Sequence, residues 1–315
     1  MSDNKTEQKT RGKVGDYIFP WVSSFSALSI FMGIQFVVLA FMQITKISYT
    51  KFQGVYATLY ALLGIFGLLF FSFFSRFFFS DRNSGIHYSK PQRLNIFIAI
   101  IIGFGLLGMV NIYMYIANSI ADMMKEGVVA EEMEKYSESV DRYSNIEVET
   151  VPMADKLLYY VATVLLVPLG EEILFRGLTL GAFLKRYPAW LSIIISALIF
   201  GVCHGLSIHI GYAFMSGIII GCVYCFTKNI LYTYIIHMLF NFFGGTLGMI
   251  LTDGWFNISE NVQYKITATP YLIEIFMIVP TIILLISLGL RYRHENKMGL
   301  EKKKEEPSQE IIEEA

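Results

Sequence analysis

Apolar residues run through this chain in long blocks broken by short polar connections, without the one-in-two alternation of a half-buried sheet. Eight blocks approach or exceed the ~20 residues a helix needs to cross a hydrocarbon core ~30 Å thick. They run from about Ile18 to Ile44, Tyr56 to Phe79, Leu94 to Ala121, Leu157 to Leu184, Trp190 to Leu206, Ile208 to Phe226, Ile230 to Leu251 and Pro270 to Leu290. The pattern predicts an all-α, polytopic membrane protein, a bundle of about eight transmembrane helices. The first block is too long for the apolar part of a cleaved signal peptide and is followed by no clear small-residue cleavage site, so it reads as a retained span. Pro168 and Gly170 are expected to interrupt the fourth span, and Gly211, Gly217 and Gly221 to let the sixth pack closely on a neighbour.

The polar breaks divide the chain into a cytoplasmic leader (1–16), three N-terminal transmembrane helices (17–121), an acidic extracytoplasmic loop (122–155), a catalytic transmembrane core (156–290) and a charged cytoplasmic tail (291–315). The 122–155 segment holds Glu126, Glu131, Glu132, Glu134, Glu138, Asp141, Glu147 and Glu149, and reads as a solvated loop, with a short amphipathic helix around Val129–Val140 as the alternative. Ser80–Arg93 reads as a turn-rich connection, Thr252–Thr269 as a loop containing Trp255, and the leader and tail as disordered. Lys and Arg outside the spans concentrate in the leader, at Arg82, Lys90 and Arg93, at Lys185, Arg186 and Lys228, and in the tail. The positive-inside rule therefore predicts both termini cytoplasmic and the acidic segment on the far side. Trp21, Trp190 and Trp255 fall at span edges, as in an interfacial belt.

Composition agrees with the blocks. Hydrophobic residues make up 54% of the chain and charged residues 16%, against about 25% charged in soluble domains. A net charge of -1 with no basic surface or interleaved aromatic motif gives no sign of nucleic-acid binding. Cys203, Cys222 and Cys225 all lie in apolar segments and read as buried small hydrophobes, because one Cys-x-x-Cys pair supplies too few ligands for zinc.

The exceptions inside the apolar blocks carry the chemistry. Gly170-Glu171-Glu172-Ile173-Leu174-Phe175-Arg176-Gly177 places three ionisable groups within one span, and a charge at the bilayer centre costs ~2.5–3.5 kcal/mol on insertion scales. Glu172 and Arg176 are four apart and share a helix face, which suits a structural ion pair. Glu171 is turned ~100° away and can face a wet cavity. Phe200 and His204, and His237 and Asn241, repeat the four-residue spacing in the fifth and seventh spans. At ~1.5 Å per residue, Glu171 lies roughly 21 Å from Lys185, His204 roughly 24 Å from Pro188, and His237 and Asn241 roughly 14 and 20 Å from Lys228. Those reference points share the predicted cytoplasmic side, so the four residues fall at similar depth.

Singly, each of these has a plain structural reading: a membrane His or Asn joins helices by hydrogen bonds contributing only ~1 kcal/mol. Together they can support water activation. A desolvated Glu is a general base, an imidazole beside it can position the water, and a second imidazole with a carboxamide can donate to an oxyanion. The chain has no His-Glu-x-x-His zinc motif and no Gly-x-Ser-x-Gly elbow, and nothing marks Ser216 as a nucleophile. Two rivals stay open on sequence: a metal-dependent membrane hydrolase with Glu171, His204 and His237 as ligands, and a non-catalytic immunity or scaffold protein, or a transporter with Glu171 as proton relay.

The three motifs, Glu171-Glu172-x-x-x-Arg176, Phe200-x-x-x-His204 and His237-x-x-x-Asn241, resemble the CPBP family of intramembrane glutamic endopeptidases, which includes CAAX prenyl proteases and presumed bacteriocin-processing or self-immunity proteins. The resemblance covers about Leu157 to Phe243. It implies an α-helical membrane peptidase needing no metal or other cofactor, with Glu171 as general base, His204 helping it activate water, and His237 and Asn241 as the oxyanion hole. Glu172 and Arg176 would support the architecture, and Phe200 would pack near His204. The implied partners are the lipid bilayer and a peptide or lipidated-peptide substrate, in a multi-pass protein of the cell membrane.

Overall fold

The computed structural model describes residues 14–78, 90–144, 151–205, 207–252 and 259–305. Most of the leader, most of the Ser80–Arg93 connection, Trp255 and residues 306–315 lie outside them. Among the described residues every regular element is helical, and seven helices are long and apolar enough to cross a membrane. The fifth of the eight expected spans is different. It is α8 (Ala189–Val202), 14 residues long and so ~21 Å in length, shorter than the hydrocarbon core. His204 lies just beyond its C-terminal end. At the turn Gly205 adopts a φ of +86°, a left-handed conformation that a Cβ would disfavour. The chain then runs back antiparallel as α9 (Ser207–Thr227), packed along α8. Of the three expected packing glycines, Gly217 sits against α8: a Cβ there would lie 2.9 Å from the Cα of Ala197.

α1 (Val14–Ile44) and α2 (Gln53–Phe78) pair as a hairpin, and α3 (Arg93–Met124) packs along α12 (Glu260–Glu305). Three expectations are corrected here. The acidic segment contains a helix, α4 (Val128–Ser144), because its apolar positions give it one sticky face. Met133 buries with Ala117 of α3 and Ile208 of α9, flanked by Val129 and Tyr136. The last helix begins at Glu260, ten residues before the expected start, and Pro270 and Pro280 lie within it. It also continues through Arg291–Glu305, so that part of the tail is helical.

The fourth span is one continuous helical rod from Met153 to Phe183, not an interrupted one. It is assembled from α5 (Met153–Val161), a π-wound turn (Ala162–Leu166), α6 (Val167–Glu172), a longer π-wound stretch (Ile173–Leu180) and α7 (Gly181–Phe183). π-winding within α-helices is rare and frequent at functional sites. The rod is tied to α2 at its start. Asp155, buried, accepts hydrogen bonds from the backbone N–H groups of Gly54 (2.8 Å) and Val55 (2.9 Å), two of the orphan donors at the N-terminus of α2. Gly54 is required by the same contact, because a Cβ there would collide with the Asp155 carbonyl.

At the other end, Trp21 donates from Nε1 to the Tyr187 hydroxyl (3.2 Å), which in turn donates to the Tyr17 carbonyl (3.1 Å). The start of α1 and the turn containing Lys185 and Arg186 thus lie at one face of the bundle. Between these ends, Ile173, Leu174, Phe175, Leu178 and Leu180 form the principal core with Ala27, Phe31 and Leu68 from the first hairpin and Ile193, Phe200, Ala213 and Tyr224 from the second. α10 (Ile230–Asn241) closes the arrangement, lying against α3, α9 and α6, and runs on through a π-wound turn (Phe242–Thr246) into α11 (Leu247–Thr252).

Candidate active site

Consecutive residues on the rod send Glu171 and Glu172 to different environments. Glu172 is fully buried, and its Oε1 lies 3.1 Å from Arg176 Nη1, an ion pair formed one helical turn apart. The pair lacks hydrogen-bond alignment at that Nη1, but the guanidinium also lies over the Phe200 ring, 4.6 Å from its centroid. The same Glu172 oxygen is 2.8 Å from His237 Nδ1. The Glu171 side chain is 18% exposed, and its Oε2 lies 3.5 Å from His237 Nε2. One imidazole on α10 therefore stands between two carboxylates of the rod.

This arrangement dictates proton positions. With Glu172 ionised beside Arg176, Nδ1 carries a hydrogen and donates to it. Nε2 then faces Glu171 at 3.5 Å, a contact favourable only with a proton on one of the two, since two bare acceptors would repel. Glu172 thus sets the orientation and tautomer of His237, as a buried carboxylate does for the base of a hydrolytic triad.

Phe200 joins the pieces. Its ring lies 4.4 Å from that of His204, 6.0 Å from that of His237 and 4.9 Å from that of Phe175, besides its contact with Arg176. His204 hydrogen-bonds through Nδ1 to the Phe200 carbonyl (2.7 Å), so its Nε2 is the nitrogen directed away from its own helix. Its neighbour Cys203 lies within electrostatic reach of the Glu171 carboxylate.

Asn241 does something the spacing alone does not show. Its Nδ2 donates to the Thr163 carbonyl at 2.9 Å, within the first π turn. Val167 N–H bonds to the Ala162 carbonyl, five residues back. In that winding the partner of the Thr163 carbonyl would be residue 168, which is proline and has no N–H. Pro168 thus leaves a carbonyl free, and Asn241 takes it.

Residues 153–243 match the family of type II CAAX prenyl endopeptidases, Rce1-like. No curated protein and no solved structure matches the chain. The match is consistent with the CPBP resemblance and supports an intramembrane protease. The Rce1-like segment holds Glu171, Glu172, Arg176, Phe200, His204, His237 and Asn241 together; α1 to α4, α12 and nearly all of the chain linking α10 to it lie beyond it.

The geometry brings Glu171, Glu172, Arg176, Phe200 and His237 into one contact cluster, with His204 against Phe200. His237 and Asn241, expected to act side by side, differ in their partners: the imidazole bonds the carboxylates and the amide bonds Thr163. Thr163 is a contributor the motifs do not reveal. Its signal is indirect, a proline five residues on within an otherwise uninterrupted apolar run.

Proposed function

We propose that this chain is a CPBP-type intramembrane glutamic endopeptidase that hydrolyses a peptide bond of a membrane-associated, lipidated or leader-type peptide. Glu171 is the general base. It removes a proton from a water held between its carboxylate and His204 Nε2, and the resulting hydroxide adds to the scissile carbonyl carbon. The developing oxyanion receives hydrogen bonds from Nε2–H of a protonated His237, stabilised by Glu172, and from the second Nδ2–H of Asn241. Collapse of the tetrahedral intermediate breaks the C–N bond, and the proton on Glu171 passes to the leaving amine. One water is consumed, and the products are a carboxylate and an amine. The observation that carries this reading is the single imidazole bridging the two carboxylates, at 2.8 and 3.5 Å.

The protein resides in the cell membrane with both termini cytoplasmic. The bonds linking Tyr17, Trp21 and Tyr187 support placing the N-terminus on the same side as the Lys185–Arg186 turn. The test uses the full chain in lipid nanodiscs with a farnesylated peptide ending in a CAAX sequence. Wild-type protein cleaves it, Glu171→Gln falls by at least about 10²-fold, and a chelator leaves the wild-type rate unchanged. Wild-type activity in Glu171→Gln overturns the general-base role. Loss on chelation, restored by zinc, replaces it with a metal-dependent mechanism.

A further inference from the structure

A residue from outside the family-matched segment comes within electrostatic reach of Glu171. Gly170, immediately before Glu171, faces the first hairpin: a Cβ there would lie 3.2 Å from Phe31 and 3.5 Å from Ile65. The Phe31 ring packs against that of Tyr60 on α2, with centroids 5.0 Å apart. Tyr60 is itself stacked on Tyr56, at 6.1 Å and nearly parallel, and Tyr56 meets Tyr49 edge-on at 4.8 Å. The two tyrosine hydroxyls of α2 have different surroundings. That of Tyr56 is bonded to Gln35 of α1, whereas that of Tyr60, half-buried, lies within electrostatic reach of the Glu171 carboxylate and of Cys203. Tyr60, Cys203 and His237 all interact with Glu171, from α2, from the end of α8 and from α10 respectively.

We propose that Tyr60 is a positioning residue of the active site, its hydroxyl donating a hydrogen bond to the water that Glu171 activates. This rests on the hydrolytic reading above and extends it. A neutral phenol is a good donor to that water, and its ring is held by Phe31 and Tyr56 on two sides, so the hydroxyl is presented with little freedom. The first hairpin is then part of the catalytic apparatus as well as a membrane anchor, and the 153–243 segment alone lacks one wall.

The experiment compares wild type, Tyr60→Phe, Tyr56→Phe and Glu171→Gln, each as full-length protein in nanodiscs, with the same farnesylated peptide. Tyr60→Phe retains the ring and its packing. It is expected to lower kcat about tenfold or more, to change KM less than twofold, and to leave the thermal midpoint at the wild-type value. Tyr56→Phe is expected to keep wild-type kcat. Wild-type kcat in Tyr60→Phe, with Glu171→Gln inactive, overturns the role of Tyr60 and leaves the general base standing. Equal losses in both tyrosine variants, accompanied by lowered thermal midpoints, also overturn it, in favour of packing. Full activity in Glu171→Gln overturns the parent reading instead.

Discussion

Replacing Glu172 by Gln keeps the volume of a fully buried side chain and removes its charge. Arg176, also fully buried, then loses the carboxylate 3.1 Å away, and the acceptor 2.8 Å from His237 Nδ1 becomes at best a neutral amide oxygen. Breaking one side of a buried ion pair costs about 3–5 kcal/mol, because the other charge is left uncompensated. The lower end applies here: Arg176 keeps its contact with the Phe200 ring and the more distant charge of Glu171. Arg176→Met strands Glu172 instead, with a similar cost softened by the contact it keeps with His237 Nδ1. The double variant strands neither group, and apolar or neutral replacements of a buried pair are often tolerated. Its cost is therefore expected at about 1 kcal/mol, far below the sum of the singles, a non-additivity that marks direct coupling. Catalysis does not return with stability, since His237 has no carboxylate on Nδ1 in either protein carrying Glu172→Gln. The assay is denaturant unfolding of the four proteins in one detergent, beside peptide cleavage. Additive single effects, each below about 1 kcal/mol, would refute the buried-pair account, and so would full activity in the double variant.

Four further outcomes follow from other contacts. Asp155→Ala removes the acceptor for two N–H groups at the start of α2 and should lower stability by about 1–2 kcal/mol, with faster hydrogen exchange at Gly54 and Val55 as the readout. Asn241→Ala should reduce cleavage about 10²-fold or more if its amide serves the oxyanion; a loss below threefold would restrict Asn241 to holding Thr163. Pro168→Ala supplies the missing N–H, which competes for the Thr163 carbonyl, so activity should fall while thermal stability holds; unchanged activity would show that the competition is immaterial. Met133→Asp places a charge in the small core joining α4 to α3 and α9, and loss of exchange protection across 128–144 should report release of the helix, whereas retained protection would show that other contacts hold it.

The spans were legible because long apolar runs leave the backbone no alternative to a helix in lipid. The Glu172–Arg176 pair was legible for a related reason, since four-residue spacing places side chains on one face whatever the surroundings. What escaped the sequence is where winding or length departs from the regular case. Pro168 reads as an interruption, yet the rod absorbs it by π-winding, and its effect appears at Thr163 and Asn241. The fifth apolar block reads as a full span, but Gly205 turns the chain and leaves α8 short. The acidic segment looks solvated because charges are interspersed throughout it and leave no long apolar run; Met133 and Tyr136 become decisive only once α3 and α9 offer a surface. Pairing of His237 with both carboxylates depends on the approach of α10 to the rod, a tertiary fact that spacing within one helix does not encode.

The most direct test of a water-activating glutamate in this bundle is a comparison of peptides in cells carrying wild-type protein and cells carrying Glu171→Ala at equal membrane abundance. The account predicts cleaved peptides present with the wild type and absent with the variant, their intact precursors accumulating in the membrane fraction. Indistinguishable peptide populations, with the protein's biological effect retained, would contradict it.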